Sequence, residues 1–374
     1  PLDFGVTYNS YVILDEKICI IDGVEEGENG DFFRKLEATI GDRQVDYIII
    51  NHVEPDHSGS INSLLKMYPN IKVVGNVKSI SMLKLLNTNI PDDRAVVIKE
   101  KDILDLGKHK LTFYLMPMVH WPESMATYDT TDKILFSNDA FGSFGALDGA
   151  IFNDEANLNI FENEMRRYYS NIVGKLGAPV NAILKKLSSV EISCICPSHG
   201  LIWRKDIDKV IKKYQKWANI EAEEEGVVII YGSMYGHTTE MAEILARQLD
   251  ERGIKNVQIY DSSKFDISYL FSAIWKYKGL MIGTCTHYNM AFPKIEPLLQ
   301  KLENYGLKNR YLGIFGNMLW SGGGVKRVKE FADRLTGLEQ IGEPVEVKGH
   351  VTPIDREKLI ELANLMADKL IADR

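Results

Sequence analysis

Between residues 46 and 60 the chain reads DYIIINHVEPDHSGS, an apolar run followed at once by His52, Glu54, Asp56 and His57. Two imidazoles and two carboxylates within six residues form a dense set of nitrogen and oxygen donors. Such donors hold hard or borderline metal ions. Three more candidates each follow an apolar run: His120 after LTFYLMPMV, Asp139 after KILFSN and His199 after ISCICPS. A single histidine beside a strand is usually a hydrogen-bonded core residue. Several strand ends carrying His or Asp point instead to side chains that converge at one edge of a rigid scaffold, where loops carry function. Three imidazoles (His52, His120, His199) and three carboxylates (Glu54, Asp56, Asp139), with no thiolate, suit iron or manganese better than a structural zinc centre. Six ligands exceed what one four-coordinate ion needs. Two ions sharing a bridging carboxylate use them all, and can hold both ends of a small substrate.

A second constellation follows the apolar strand VVIIY at 227–231. The stretch YGSMYGHTTEMAEILA leaves that strand and opens a helix. Ser233, Thr238 and Thr239 offer hydroxyls there, and Gly236 allows backbone amides to approach closely, with Met234, Tyr235 and His237 completing the loop. Together with the helix N-terminus this is a cradle for a phosphate. It is neither GxGxxG nor a loop ending in GK[ST], so one phosphate monoester fits better than a dinucleotide. Two later strand ends, GTCTHYNM (283–290) and GNMLWSGGG (316–324), sit where open α/β sheets bind ligands. Tyr288 and Trp320 offer flat surfaces on which a planar ring can stack. Asn289, Asn317 and the backbone of Gly322 can hydrogen-bond its polar edge, and Thr284 and Ser321 are counted with them as binding residues.

The elements that must position these groups fall into two rhythms. Up to about residue 220 short β-branched and aromatic runs alternate with turns: YVIL (11–14), KICIID (17–22), DYIII (46–50), IKVVG (71–75), LTFYLM (111–116) and KILFS (133–137). After the acidic run EAEEE (221–225), which reads equally as a hinge or as the solvated end of a preceding helix, strands alternate with helices. That alternation implies a parallel, doubly wound sheet. The domains are therefore expected at 1–222 and 223–374.

Bulk properties narrow the function further. A chain of 374 residues suits two domains. Its net charge of −8 argues against a nucleic-acid partner. No apolar run approaches the roughly 20 residues that span a bilayer, and no basic-then-apolar leader opens the chain at Pro1, so a cytoplasmic location is expected. Four cysteines are too few for a disulfide framework, and Cys194 and Cys196, one residue apart in a strand-like run, read as buried thiols.

HxExDH, followed by His120, Asp139 and His199, resembles the metallo-β-lactamase fold, whose hydrolases carry HxHxDH with histidine where this chain has Glu54. That replacement, with MVHWPESMATY, FSNDAFGS and CPSHGLIW around the later candidates, is similar to the flavodiiron proteins. The phosphate loop likewise resembles that of flavodoxins, which implies FMN. The resemblance covers essentially the whole chain. It implies an αββα metallo-β-lactamase-like sandwich followed by a flavodoxin-like doubly wound parallel sheet, an α/β and α+β combination. It also implies that His52, Glu54 and His120 hold one iron, that Asp56 and His199 hold the other, and that Asp139 bridges them. His57 is expected beside the metals as a hydrogen-bonded catalytic histidine rather than a firm ligand, and His237 and His287 near the flavin without catalytic duty. The implied activity is reduction of O2 to water, or of NO to nitrous oxide, with electrons delivered through FMN. No CxxC pair occurs in the sequence, so the rubredoxin domain of some relatives is not expected, and the donor is external: a rubredoxin-like carrier or a reduced deazaflavin coenzyme. A head-to-tail homodimer is the implied working unit, with a tetramer as the larger alternative. Two rivals from other classes are a zinc hydrolase with a passenger flavodoxin domain and a non-catalytic electron carrier.

Overall fold

A computed structural model describes residues 2–86 and 88–373; Pro1, where the chain opens, lies outside them with Asn87 and Arg374. Two compact units are present, Leu2–Gln215 and Lys216–Arg374. The division falls inside the helix Ile207–Ala218, ahead of the boundary expected at 222/223.

The first unit holds two five-stranded sheets. One runs β1 (Tyr11–Leu14), β2 (Ile18–Ile21), β3 (Tyr47–Ile49), β4 (Lys72–Asn76), β5 (Ala95–Ile98) in that order across the sheet. Only its β1–β2 pair is antiparallel. The other contains β6 (Ile103–Asp105), β7 (Lys110–Leu115), β8 (Met125–Asp129), β9 (Ile134–Asn138) and β10 (Cys194–Pro197), ordered β10-β9-β8-β7-β6. It is antiparallel except for β9–β10.

Strand β2, ICII, shows why the layers form. Successive side chains on a strand point to opposite faces. Ile18 and Ile20 pack outward against Leu36, Ile40, Leu64 and Leu83, which lie on helices Asn29–Ile40, Ile61–Met67 and Val77–Leu85. Cys19 and Ile21 pack inward with Leu111, Phe113, Met125 and Phe136 of the opposing sheet. A strand apolar on both faces must be covered on both, and an αββα sandwich does so. On the far side the helix Gly177–Leu187 meets the second sheet, where Lys186 Nζ donates to the Leu115 carbonyl at 2.7 Å.

The second unit is a parallel sheet of β11 (Glu224–Gly232), β12 (Val257–Asp261), β13 (Tyr277–Cys285), β14 (Arg310–Met318), β15 (Leu338–Gln340) and β16 (Val345–Lys348). Its order is β12-β11-β13-β14-β15, with β16 also paired to β14. Val227, Ile229 and Tyr231 bury one face against Met241 and Leu245 of the helix His237–Glu251 and against Leu359 and Met366 of the helix Pro353–Ala372. Close helix and strand packing needs small residues in places: a Cβ at Gly283 would lie 2.2 Å from the Phe315 ring. Strand order reverses between β11 and β13, which opens a crevice beyond their carboxyl ends.

The acidic run 221–225 is not the end of the preceding helix. The preceding helix stops at Ala218, Glu223 N donates to the Lys276 carbonyl at 3.0 Å, and Glu224 pairs with Tyr277. Backbone pairing to β13 captures these residues as a turn and the first rung of β11, overriding the charge pattern.

Candidate metal centre and cofactor cavity

Four strand ends of the first unit deliver the clustered side chains. After β3 the chain carries His52 and Glu54 into the short helix Pro55–Ser58, which holds Asp56 and His57. His120 sits in the connection between β7 and β8, Asp139 directly after β9, and His199 just beyond β10. The first loop is tied down from behind. Asp22 accepts hydrogen bonds from Asn51 N (2.7 Å) and Nδ2 (3.0 Å), and Asn51 Oδ1 accepts one from Thr127 (2.8 Å).

The side chains form two groups that meet at Asp139. His52, Glu54, His120 and Asp139 make the first group, and Asp56, His57 and His199 the second. Asp139 Oδ2 lies 3.0 Å from His120 Nε2 and 3.6 Å from His52 Nε2, while Oδ1 lies 3.1 Å from His57 Nε2 and 3.3 Å from His199 Nε2. Each oxygen of this buried carboxylate thus faces a different group. Glu54 Oε2 stands 3.1 Å from His52 Nε2 and 3.2 Å from His120 Nε2, and Asp56 Oδ2 stands 3.4 Å from His199 Nε2.

Apart from the one between His52 and Glu54, these contacts are not well-aligned hydrogen bonds. Both Asp139 oxygens, Asp56 Oδ1, His120 Nε2 and both His57 nitrogens are buried without a well-aligned partner among the described residues. An unsatisfied buried polar atom costs about 1–3 kcal/mol, so a cluster of six is a site built around cations. The donors are nitrogen and oxygen only, which fits iron. Charge follows the same logic. Burial alone would raise the Asp139 carboxyl, but the imidazoles of His57, His120 and His199 hold it well below the usual range. The neighbouring His120 and His52 imidazoles hold Glu54 down at about 2. Burial disfavours charge on the histidines, yet Glu123 and Glu54 raise His52 to about 10, Asp139 and Asp56 raise His199 to about 10, and Asp139 and Glu54 raise His120 to about 8.

Two orienting groups carried no signal strong enough to be singled out from sequence. His52 Nδ1 meets Glu123 Oε1 at 2.6 Å, and His199 Nδ1 meets the Thr7 carbonyl at 2.6 Å. Both contacts fix which ring nitrogen faces the site. Glu123 was visible as a carboxylate three residues past His120, while a backbone carbonyl has no sequence signature. Among the described residues His57 lacks any such partner on Nδ1. Its Nε2 faces Asp139 Oδ1 at 3.1 Å, within the second group.

The second unit carries a cavity of about 730 Å³ at the β11/β13 crevice. Ser233, Met234, Tyr235, His237, Thr238, Tyr288, Asn289, Asn317, Trp320 and Ser321 line it, and so does His287. Among the described residues the Thr238 hydroxyl is buried without a partner, at the first turn of the helix His237–Glu251, which has no side-chain cap. Gly236 enters that turn at φ +90, a conformation that favours glycine, and its N–H donates to Ser233 Oγ at 3.1 Å. Open amides and an unused hydroxyl suit a phosphate. Tyr288 and Trp320 stand 89% and 86% exposed at the rim, ready to be covered by a flat ligand. A two-residue turn between His287 and Met290 holds Tyr288 out, and Ser321 Oγ donates to Asn289 Oδ1 at 2.8 Å.

Three expected binding residues stand off the cavity wall. Gly236 acts through loop conformation. Thr284 is fully buried, and its hydroxyl donates to the Cys285 carbonyl and accepts from Phe292 N. Gly322 lies beside the Glu346 carboxylate. Cys285, Thr286, Met318, Leu319 and Gly349 line the cavity unannounced. Cys285, Thr286, Met318 and Leu319 lie inside the stretches 283–290 and 316–324, and only the turn of the backbone reveals which of their residues face inward; Gly349, beyond β16, lies near no such motif.

The ODP family beta lactamase profile matches residues 6–200, and the flavodoxin profile matches 229–361. The anaerobic nitric oxide reductase flavorubredoxin of Vibrio vulnificus (strain YJ016) is 34% identical over 328 residues, which cover 87% of this chain and 66% of that protein. The same-named protein of Salmonella paratyphi B is 33% identical over 328 residues, covering 68% of its length. This chain therefore spans about two thirds of the curated relatives it matches. Among solved structures, rubredoxin oxygen:oxidoreductase from Desulfovibrio gigas superposes with a TM-score of 0.90 at 30% identity, covering 99% of this chain and 92% of that one. The flavodiiron protein from Giardia intestinalis gives 0.90 at 26%, covering 99% and 91%. With both domains matched in order and a whole-length structural match at 30% identity, this chain belongs to the flavodiiron protein family, with a two-iron site in its first unit and an FMN site in its second.

Proposed function

We propose that this protein reduces O2 to water, with NO reduction to nitrous oxide as a second activity of the same centre. Asp139 carries the reading: one buried carboxylate faces two nitrogen- and oxygen-rich groups, one with each oxygen. When bound, the iron pair supplies paired positions for a diatomic molecule and FMN supplies electrons. The chain's own residues do the rest. His52, Glu54 and His120 would hold one ion, Asp56 and His199 the other, and Asp139 both. His57 would stand beside the second ion as a catalytic histidine rather than a firm ligand. Glu123 and the Thr7 carbonyl keep Nε2 of His52 and His199 turned inward. Thr238, Ser233 and the open helix start would hold the FMN phosphate, while Tyr288 and Trp320 would cover its ring.

NO as the main substrate is the alternative, favoured by the relatives named nitric oxide reductases; the relative named an oxygen oxidoreductase favours O2. A zinc hydrolase is the weaker reading, since Glu54 stands where those enzymes carry histidine. We further take the electron donor to be external, a rubredoxin-like protein or reduced deazaflavin coenzyme, and the compartment to be the cytoplasm. Among the described residues no helix is long and apolar enough to cross a membrane.

The working unit is taken as a head-to-tail homodimer, or a tetramer of such pairs, in which the flavin of one protomer serves the irons of its partner. Co-expression of a metal-site variant (Asp139→Ala with His199→Ala) and a flavin-site variant (Thr238→Glu) tests this assembly. Cross-chain transfer restores up to about half the activity per mixed dimer, because a C2 pair then holds one intact combination. Transfer within one chain leaves the mixed dimer dead. For the reaction itself, metal analysis decides first: about two iron atoms per chain with redox turnover supports it, and zinc with hydrolysis overturns it.

A further inference from the structure

Strand β10 reads CICP, and alternation along it puts Cys194 and Cys196 on one face with Ile195 on the other. Their sulfurs lie 3.8 Å apart. Sequence reading took both as buried thiols. The structure buries Cys196 to 7% exposure but leaves Cys194 partly open. Ile195 exchanges backbone hydrogen bonds with Trp203 at 2.8 and 2.9 Å, and β9 sets Cys194 opposite Ile134 and Cys196 opposite Phe136. The pair is therefore held in place from both sides. We propose that Cys194 and Cys196 are a redox modification site separate from the metal centre, a dithiol that hydrogen peroxide converts to a disulfide and that thiol reductants restore.

The two sulfurs are unequal in the way such a reaction needs. Cys194 is the reachable one, and the Cys196 thiol beside it together with the Arg204 guanidinium lowers its pKa toward the thiolate. Cys196 packs among Ile13, Leu111 and Phe136, and its contact with Cys194 and its burial push it up, so it keeps its proton. A reachable thiolate beside a resolving thiol is the arrangement of peroxide-sensitive cysteines. Cys19 and Cys285 are buried without a thiol neighbour among the described residues, and burial raises both. They serve as internal controls.

The Cys194 thiolate attacks one peroxide oxygen; the O–O bond breaks, an S–O bond forms, and the leaving hydroxide takes a proton as water. The Cys196 sulfur then attacks the Cys194 sulfur. An S–S bond forms, the S–O bond breaks, and a second water leaves with the Cys196 proton. Two thiols lose two electrons and two protons in all, and one peroxide becomes two waters. Bridging residues two apart on an extended strand strains the ring, and strained disulfides are the reducible ones.

The test exposes the loaded, full chain to hydrogen peroxide, then alkylates it and maps peptides by mass spectrometry before and after dithiothreitol. The expected result is loss of two hydrogens confined to the peptide holding Cys194 and Cys196, both protected from alkylation until reductant is added. Cys19 and Cys285 remain unchanged. In Cys196→Ser, dimedone should trap a sulfenic acid on Cys194, whereas Cys194→Ser should leave Cys196 unoxidised. Oxidation of Cys194 to sulfinic acid without pairing, a disulfide between chains, or both thiols staying alkylatable in the wild type overturns the proposal. The wild-type mapping decides even where a serine variant fails to fold.

Discussion

Glu123 Oε1 sits 2.6 Å from His52 Nδ1 and also accepts the Val53 amide at 3.1 Å, so one buried carboxylate sets both the ring and the backbone of the first ligand loop. Asn76 Nδ2 in turn donates to the Glu123 carbonyl at 2.6 Å while its own oxygen caps the helix Val77–Leu85. The ligand loop is thereby pinned to the end of β4.

Removing that orienting group should loosen iron without touching a ligand. We expect Glu123→Ala to weaken metal retention about 10–100-fold, the usual cost of losing a partner behind a ligating histidine. Glu123→Gln should cost less, because its amide oxygen can still accept from His52. Competition with a chelator, read as bound iron, checks both. Equal retention in all three proteins would show that Glu123 is packing only.

For the flavin, denaturation should release FMN and no FAD, because one unpartnered hydroxyl and one helix start offer room for a single phosphate. Thr238→Glu should yield flavin-free protein, since a carboxylate repels the phosphate at close range. Trp320→Ala removes an exposed stacking surface worth about 0.5–1.5 kcal/mol, a few-fold to tenfold in affinity. Chromatography of the released flavin and titration of the flavin-free protein with FMN give the readouts. Recovery of FAD would contradict the reading of the loop.

Chelated protein should respond to pH in a direction set by its histidines. His52 and His199 near 10 and His120 near 8 lie above the ordinary value of about 6.5. Their contribution is complete below about pH 6.5 and disappears as pH rises through 8 and then 10. Glu54, near 2, is depressed, so its contribution is present above the ordinary glutamate value and is lost only as pH falls through about 2. Metal binding instead requires neutral imidazoles and tightens with rising pH. Thermal unfolding at pH 6 and pH 9 should therefore show a gap between loaded and chelated protein that widens at pH 9. A constant or narrowing gap would contradict this.

Much of the centre was legible in the sequence because strand ends are. Runs such as DYIII and KILFS end within one residue of β3 and β9, and His52 and Asp139, each just past an asparagine (Asn51, Asn138), are the ones brought together. Tertiary choices were less visible. Thr284 lies in the right loop, but the Phe292 amide claims its hydroxyl. Asn317 donates to the Gly349 carbonyl at 2.6 Å, which gives it a structural hold on the cavity wall as well as a place in it. Residues 221–225 carried a charge signal that backbone pairing to β13 overrode. MATYD, with no alternating pattern, became β8 because both of its faces are covered.

Anaerobic reoxidation shows whether electrons leave the protein through the centre that Asp139 joins. Loaded protein is reduced through its flavin, then mixed with O2 or NO in separate experiments while flavin absorbance and products are followed. Rapid flavin reoxidation is expected, with water or nitrous oxide as product, and Asp139→Ala should lose both the rapid phase and iron while keeping FMN. Equal reoxidation in Asp139→Ala, with hydrogen peroxide as the product of O2, would contradict this expectation, because electrons would then leave from the flavin without the centre that Asp139 joins.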